Sequence, residues 1–325
     1  MPRPEPSAYR VASLFSGIGG FEIGFERAGF ETTFQCEINT FCQAVLEKHW
    51  PKVPKAHDIK ELTGADIPAS DIWVAGFPCQ DVSLARMGKR AGLRGSKSGL
   101  FHEFARLVGE GRPRLLCIEN VSGLLSSHGG RDFGVVLGTL AELGYSLGWR
   151  LLDSKNFGVP QSRNRVFVVG CNRDWGCAPQ VLFEPERSGG MLEKDRKNGA
   201  KTVSPFARII EHPGRKRAVT KAIAYCLYAE SARHTGTDWS RNYVCYPEEG
   251  RVRRLTPSEC EGIMAFPPKW TDLHVGLEGE ALDTARYHAL GNAVTPPVAE
   301  WLARRVKLYL DREDAFESET VAAVA

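Results

Sequence analysis

Along the first 170 or so residues, short apolar runs alternate with stretches of helical periodicity. Arg10 to Phe15 reads as a strand, Ser16-Gly17-Ile18-Gly19-Gly20 as a tight turn, and the periodic stretch behind it as a helix closing at Gly29. Thr33 to Cys36, Asp71 to Ala75, Leu115 to Ile118, Ser146 to Leu152 and Arg165 to Gly170 are further predicted strands. Helices are predicted over Gly99 to Gly111 and near Arg131 to Gly144. Strand and helix in alternation predict an α/β protein with a doubly wound, Rossmann-like sheet. From Cys171 to about Gly250 the periodicity weakens. Beyond it, Thr256-Pro257-Ser258-Glu259 is a capping box with proline at the first helical position, opening a helix that Phe266-Pro267-Pro268 ends. A last amphipathic helix carries Val298, Trp301, Leu302, Val306 and Leu310 on one face, suited to docking on the first domain, with a frayed tail expected past Asp311. The expected division is a larger domain of residues 1–171 plus 286–325 and a smaller one of residues 172–285.

Composition narrows this little. The chain has 325 residues, 25% charged and 42% apolar, as in ordinary globular proteins. No apolar run approaches the roughly 18 residues of a membrane span, so no membrane association is expected. Nine cysteines are scattered without metal-ligand spacing, which predicts no metal site. Their odd count and the absence of a leader pattern predict a reducing cytoplasm rather than a disulfide framework. Net charge is +3, too weak to imply nucleic acid, but its distribution changes the picture. Between Val82 and His102 stand Arg86, Lys89, Arg90, Arg94 and Lys97 and no acid. From Pro205 to Arg254, ten Lys and Arg face five acids, a candidate nucleic-acid surface.

Candidate chemistry collects where predicted strands end. Gly76-Phe77-Pro78-Cys79-Gln80 stops the run before it abruptly, leaving Cys79 just beyond a strand's carboxyl end, where open α/β sheets bind ligands. A thiol there, ahead of a basic loop, suggests a nucleophile acting on a polyanion; the alternative is one more small buried hydrophobe. The strand, glycine turn and helix at the start form the unit that cradles nucleotides, but Glu22 replaces the third glycine of the dinucleotide fingerprint. An acid there would repel a pyrophosphate and is compatible with a ligand carrying an ammonium group. Glu37, twenty residues after Gly17, suits a ribose diol, and Asp58 could reach an adenine amino group. Glu119 ends a continuous apolar strand, where it could face Cys79 across a cleft and keep its proton through desolvation. Arg163 and Arg165 would share one face of an extended segment and could clamp a phosphate and a carbonyl oxygen.

These pieces, in this order, closely resemble the DNA (cytosine-5)-methyltransferase family of bacteria and phages. The resemblance covers Val11 to about Gly170 and Arg251 to Leu302, and rests on Phe15-Ser16-Gly17-Ile18-Gly19-Gly20, Gly76-Phe77-Pro78-Cys79-Gln80, Glu119-Asn120-Val121, Gln161-Ser162-Arg163-Asn164-Arg165 and Gly291-Asn292-Ala293-Val294. It implies a methyltransferase acting on C5 of cytosine in a specific duplex DNA sequence, with S-adenosylmethionine as cofactor and a smaller target-recognition domain. Cys79 would be the nucleophile adding to C6 of a flipped base, Glu119 the acid at the ring, Arg165 a contact to O2 and Arg163 a support for the closed loop. Phe15, Gly17, Gly19, Gly20, Glu37, Ile38, Asp58, Ile59, Pro78, Leu100, Asn292 and Val294 would line the cofactor. Gln80, Ser83, Arg86, Lys89, Arg90, Arg94 and Gln161 would meet the DNA. A monomer is expected, with a cognate restriction endonuclease as a possible partner in the cell.

Three other readings stand beside this one. The RNA-methylating branch shares the apparatus, and the insertion between Cys171 and Gly250 favours DNA over it. A nicotinamide oxidoreductase is disfavoured by Glu22, and a non-catalytic DNA-binding protein by the presence together of Cys79, Glu119 and the two arginines.

Overall fold

The computed structural model describes residues 8–78, 99–172, 174, 176–184, 223–227, 242–246, 249–273 and 275–324. Seven strands form the central sheet: β1 (Arg10–Leu14), β2 (Glu31–Cys36), β3 (Lys55–Ala56), β4 (Ile72–Ala75), β5 (Leu115–Val121), β6 (Tyr145–Asp153) and β7 (Asn164–Asn172). Their order is β3-β2-β1-β4-β5-β7-β6, parallel from β3 to β5, with β7 antiparallel to both neighbours. The strand order reverses beside β1, which puts the crevice for a ligand at the carboxyl ends of β1 and β4.

The middle strands are apolar throughout because helices cover both faces. Side chains alternate along a strand, so each run feeds two cores. Trp73, Ala75, Leu116 and Ile118 join α3 (Leu100–Gly111) and α4 (Arg131–Glu142) through Phe101, Phe104, Phe133 and Leu140. Ile72, Val74, Leu115 and Cys117 face the other way, onto Phe21 and Phe25 of α1 (Gly20–Arg27) and Val298, Leu302, Val306 and Leu310 of the last helix. Burying one such large apolar side chain contributes about 1.5–3 kcal/mol. α1 and the last helix approach so closely that a Cβ on Gly24 would lie 2.5 Å from the Ala299 Cβ.

A third cluster joins the glycine turn to the later chain. Ile18 packs with α2 (Thr40–His49), α5 (Cys177–Leu182) lying elsewhere against β6 and β7, and with α6 (Pro257–Ile263), α7 (Gly279–Asn292) and Trp270. The α6 capping box is present, Thr256 and Glu259 exchanging side-chain and backbone hydrogen bonds. A hairpin, β8 (Tyr243–Tyr246) with β9 (Arg251–Arg254), stands apart from the main sheet.

Two expectations need correction. The last helix, α8 (Pro296–Val324), does not fray at Asp311. Three residues further on, Asp314 accepts hydrogen bonds from Tyr9 and Arg114, both at 2.8 Å, and anchors the later turns. Cys171 and Cys177 are joined in a disulfide, because the chain turns back between β7 and α5 and brings their Cα atoms to 6.1 Å.

Candidate active site

Backbone conformation sets the first part of the site. Gly17 and Gly19 lie in the left-handed region, with φ of 56° and 86°, and Phe15 shares it at 59°, a position where a non-glycine residue is strained. Among the described residues, a Cβ on Gly17 would meet nothing within 4 Å, so they leave that side of the turn open. A Cβ on Gly20 would sit 2.2 Å from the Val294 carbonyl oxygen; here glycine serves packing rather than a ligand. Glu37, at the tip of β2, accepts the Gly17 and Asn39 amides at 2.8 Å each, one on each carboxylate oxygen. Lone pairs remain on both oxygens for a further donor.

Around this turn the expected cofactor residues divide. Ile38 is 57% exposed, a large apolar side chain with a free face beside Glu37. Pro78 and Asn292 are exposed, and Asp58 is half-buried, with one oxygen taken by the Lys60 amide. Phe15 and Leu100 are half-buried against the core. The side chains of Ile59 and Val294 are in the hydrophobic cores, so those two residues can offer a ligand their backbone but not their side chains. Glu22 is a larger departure. It is 0% exposed and turned inward, where Gln35 of β2 donates to it at 3.2 Å, so it does not face a ligand's ammonium group. Trp270, which the sequence reading missed, donates its indole N–H to the Ile18 carbonyl at 2.8 Å and steadies the turn from the far end of the chain.

The second part lies at the tips of β4 and β5. Glu119 is buried, and a Cβ on Gly76 would be 3.6 Å from its Oε2, so the carboxyl lies against the start of the Gly76-Phe77-Pro78 turn. Asn120 fixes that turn by donating to the Phe77 carbonyl at 2.9 Å. Arg165 Nε stands 3.0 Å from Glu119 Oε1 and forms an ion pair with it. Burial pushes the Glu119 carboxyl above the usual carboxylate range, and Arg165 and Arg163 pull it partly back.

Arg163 and Arg165 do not act as the open phosphate clamp that their spacing suggests. Arg163 is 2% exposed and its guanidinium donates to three backbone carbonyls: Leu227 at 3.0 Å, and Gly291 and Ala293 at 2.9 Å. Burial lowers it to about 10, still charged near neutrality. Gln161 is 0% exposed, its amide holding the Leu227 N–H and the Ile263 carbonyl, and so is closed to DNA. Both residues instead hold Leu227 of the segment 224–227, and Arg163 also ties it to Gly291 and Ala293. Cys226 also emerges here, 3.5 Å from Arg163 and 3.8 Å from Arg165. Its place sixty residues away gave the sequence reading no signal for it. Cys79, Gln80, Ser83, Arg86, Lys89, Arg90 and Arg94 lie outside the described residues.

An open sheet with a glycine turn after β1, an acid at the tip of β2 and a second acid at the tip of β5 defines an α/β enzyme of the doubly wound class, with chemistry at the carboxyl edge. A family model described as C-5 cytosine-specific DNA methylase matches residues 9–188 and 190–308. The type II methyltransferase M.SsoII of Shigella sonnei is 31% identical over 326 residues, covering 95% of this chain and 83% of that one. The type II methyltransferase M.NgoBI of Neisseria gonorrhoeae is 36% identical over 311 residues, covering 90% and 91%. Among solved structures, the S. pombe Dnmt2 methyltransferase shares the fold at TM-score 0.65, with 18% identity over 93% of this chain and 99% of that one. A putative DNA modification methyltransferase encoded within an E. coli prophage does so at TM-score 0.64, with 19% identity over 94% and 100%. The chain belongs to the C-5 cytosine-specific DNA methylase family, and is a DNA (cytosine-5)-methyltransferase.

Proposed function

We propose that the enzyme methylates C5 of a cytosine within a specific duplex DNA sequence, using S-adenosylmethionine and a transient bond between Cys79 and C6 of a base turned out of the helix. The observation that carries this reading is the buried Glu119, held with a raised affinity for its proton beside Arg165 and against the turn that leads to Cys79. C5 of cytosine is a poor nucleophile. A thiolate adding to C6 converts the ring to an enamine, provided N3 takes a proton or a strong hydrogen bond; Glu119 supplies that proton, and Arg165 polarises O2. An ordinary thiol is only about 3% thiolate at pH 7, so the basic residues after Cys79 assist its ionisation. Loss of the C5 proton to water then re-forms the C5–C6 double bond and expels the Cys79 sulfur as a thiolate, while N3 returns its proton to Glu119.

The cofactor fits the turn on this chain's own features. Gly17 leaves room for close approach, Glu37 has lone pairs for a ribose diol, and exposed Ile38 offers an apolar face to an adenine. Asp58, Leu100, Pro78 and Asn292 complete the binding set. When bound, the sulfonium supplies an electrophilic methyl group to the activated ring carbon. The target base is unreachable in a stacked duplex, and turning it out costs a few kcal/mol. Ser83, Arg86, Lys89, Arg90 and Arg94 hold the DNA while this occurs, and the region between Cys171 and Gly250 reads the sequence. In this division residues 1–171 with 286–325 perform the chemistry, and residues 172–285 choose the target. Tritium transfer from methyl-labelled S-adenosylmethionine tests the reading: label is expected at cytosine C5 of duplex DNA, and label in RNA, or in neither, contradicts it.

A further inference from the structure

Glu22 stands in the first turn of α1, between Ser13 of β1 and Gln35 of β2, and the exposure of these three residues is 0–1%. Within this cluster Gln35 Nε2 donates to Glu22 Oε1 at 3.2 Å. Among the described residues, Ser13 Oγ, Glu22 Oε2 and Gln35 Oε1 make no hydrogen bond of good geometry, although the Ser13 and Ser16 hydroxyls lie near enough to the Glu22 carboxyl to lower its affinity for a proton. An ionised carboxylate only accepts, as does an amide oxygen, so with Glu22 charged both Oε2 and Gln35 Oε1 are buried acceptors in want of a donor. The Ser13 hydroxyl has a single proton and can serve at most one of them; a proton on Oε2 supplies a second donor.

The charged groups on the surrounding elements are engaged elsewhere. On α1, the Glu26 carboxylate accepts from Thr32 and Trp50, and Arg27 pairs with Glu300 of α8. On β2, Glu37 takes the two amides at the glycine turn, and burial keeps the Cys36 thiol neutral by pushing it up to about 12. A buried carboxylate with no cation beside it carries a large desolvation penalty, and burial raises Glu22 to about 7. The cluster also lies directly behind the proposed cofactor contacts. Ser13 comes two residues before Phe15, and its carbonyl accepts the Ser16 hydroxyl at 3.1 Å. Gln35 comes two residues before Glu37, which holds the Gly17 amide.

We propose that Glu22 is a positioning residue whose neutral carboxyl, through Ser13 and Gln35, holds the glycine turn and Glu37 in register for the cofactor, and whose ionisation loosens that hold. This rests on the assignment of S-adenosylmethionine to the turn. The sign of the stability linkage follows from the raised proton affinity. The unfolded chain loses the Glu22 proton near the ordinary carboxylate value and the folded chain near 7, so stability is lost as pH rises between the two.

The test compares wild type with Glu22→Gln, a neutral and nearly isosteric variant, in two measurements. In the first, cofactor affinity is measured by calorimetry from about pH 6 to about pH 8.5; the wild type should weaken on the order of tenfold and the variant should stay nearly flat. In the second, the urea midpoint is measured without cofactor; wild type should lose stability relative to the variant between about pH 5 and about pH 7. Parallel behaviour of the two proteins in the urea series overturns the proposal, and so does an urea difference accompanied by a flat wild-type affinity. If neither protein binds the cofactor at any pH, the donor assignment fails, and with it the positioning role, while the urea series still decides whether Glu22 is neutral. Should Glu22→Gln not fold, isotope-edited infrared spectroscopy of glutamate in a Glu119→Gln background replaces it. A protonated carboxyl band at about pH 6 that disappears by about pH 9 supports the neutral Glu22, and its absence at the lower pH overturns it.

Discussion

Glu119 combines a buried position with a guanidinium 3.0 Å away, and the two influences oppose one another. Burial is the larger, so the carboxyl can hold a proton that it would lose in water. Glu119→Gln keeps the shape and removes the transferable proton. Cofactor binding should survive while turnover falls by about 10²–10⁴, the range typical of acid–base groups. Single-turnover rates beside calorimetric affinities check this, and near-normal turnover would contradict the assignment. This residue was legible in the sequence because four apolar positions in a row place it at the end of a buried strand. Gln161 and Glu22 were not legible. Both are polar residues inside quoted motifs, and whether such a side chain faces a ligand or the interior depends on segments far away in the chain, such as Leu227 for Gln161.

Among the elements, the strands were read most closely, because a strand covered on both faces is apolar at every position. The helices whose stability comes from tertiary contacts were harder to see. α7 has no fully buried residue in its first half and gives no clear apolar stripe, and the last turns of α8 depend on Asp314 meeting Tyr9 and Arg114. The packing of α1 on α8 gives a sharp test of which effect decides. Gly→Ala inside a helix usually gains up to about 1 kcal/mol in propensity. At Gly24 the new methyl would lie 2.5 Å from both the Ala299 Cβ and the Glu300 backbone nitrogen, too close for a side chain to yield. Gly24→Ala should therefore destabilise the protein by about 1–3 kcal/mol, read as a lower urea midpoint at unchanged slope. A midpoint at or above that of wild type would mean that the helices can separate without cost.

For the whole molecule, the sheet order and the two cores make a rigid frame whose carboxyl edge gathers Gly17, Glu37, Gly76 and Glu119 from four strands. The segment 224–227 is fastened to this frame by backbone hydrogen bonds with Pro160 and Ser162 and by the Arg163 guanidinium. The region we propose as the reader of DNA sequence thus joins the frame at defined points, and should be transferable between relatives that share them. Exchanging residues 172–250 for the equivalent region of a family member with a different target should move methylation to the donor's sequence. Each side chain that reads a base edge contributes about 1–3 kcal/mol of discrimination. Bisulfite sequencing of DNA from cells expressing the chimera reads the outcome, and methylation that stays at the original sequence would contradict the division of labour.

The central claim is that Cys79 bonds to the target base, and a mechanism-based trap tests it most directly. Fluorine at C5 of the target cytosine cannot leave as a proton, so the final elimination is blocked after methyl transfer. Wild-type enzyme, cofactor and a fluorocytosine duplex should give a protein–DNA complex that survives denaturing electrophoresis. Cys117→Ala, which alters a buried thiol in β5, should still give it. Cys79→Ala should give none, while retaining a salt-dependent affinity for DNA through the basic residues that follow. A covalent band persisting in Cys79→Ala would show that another group attacks the base.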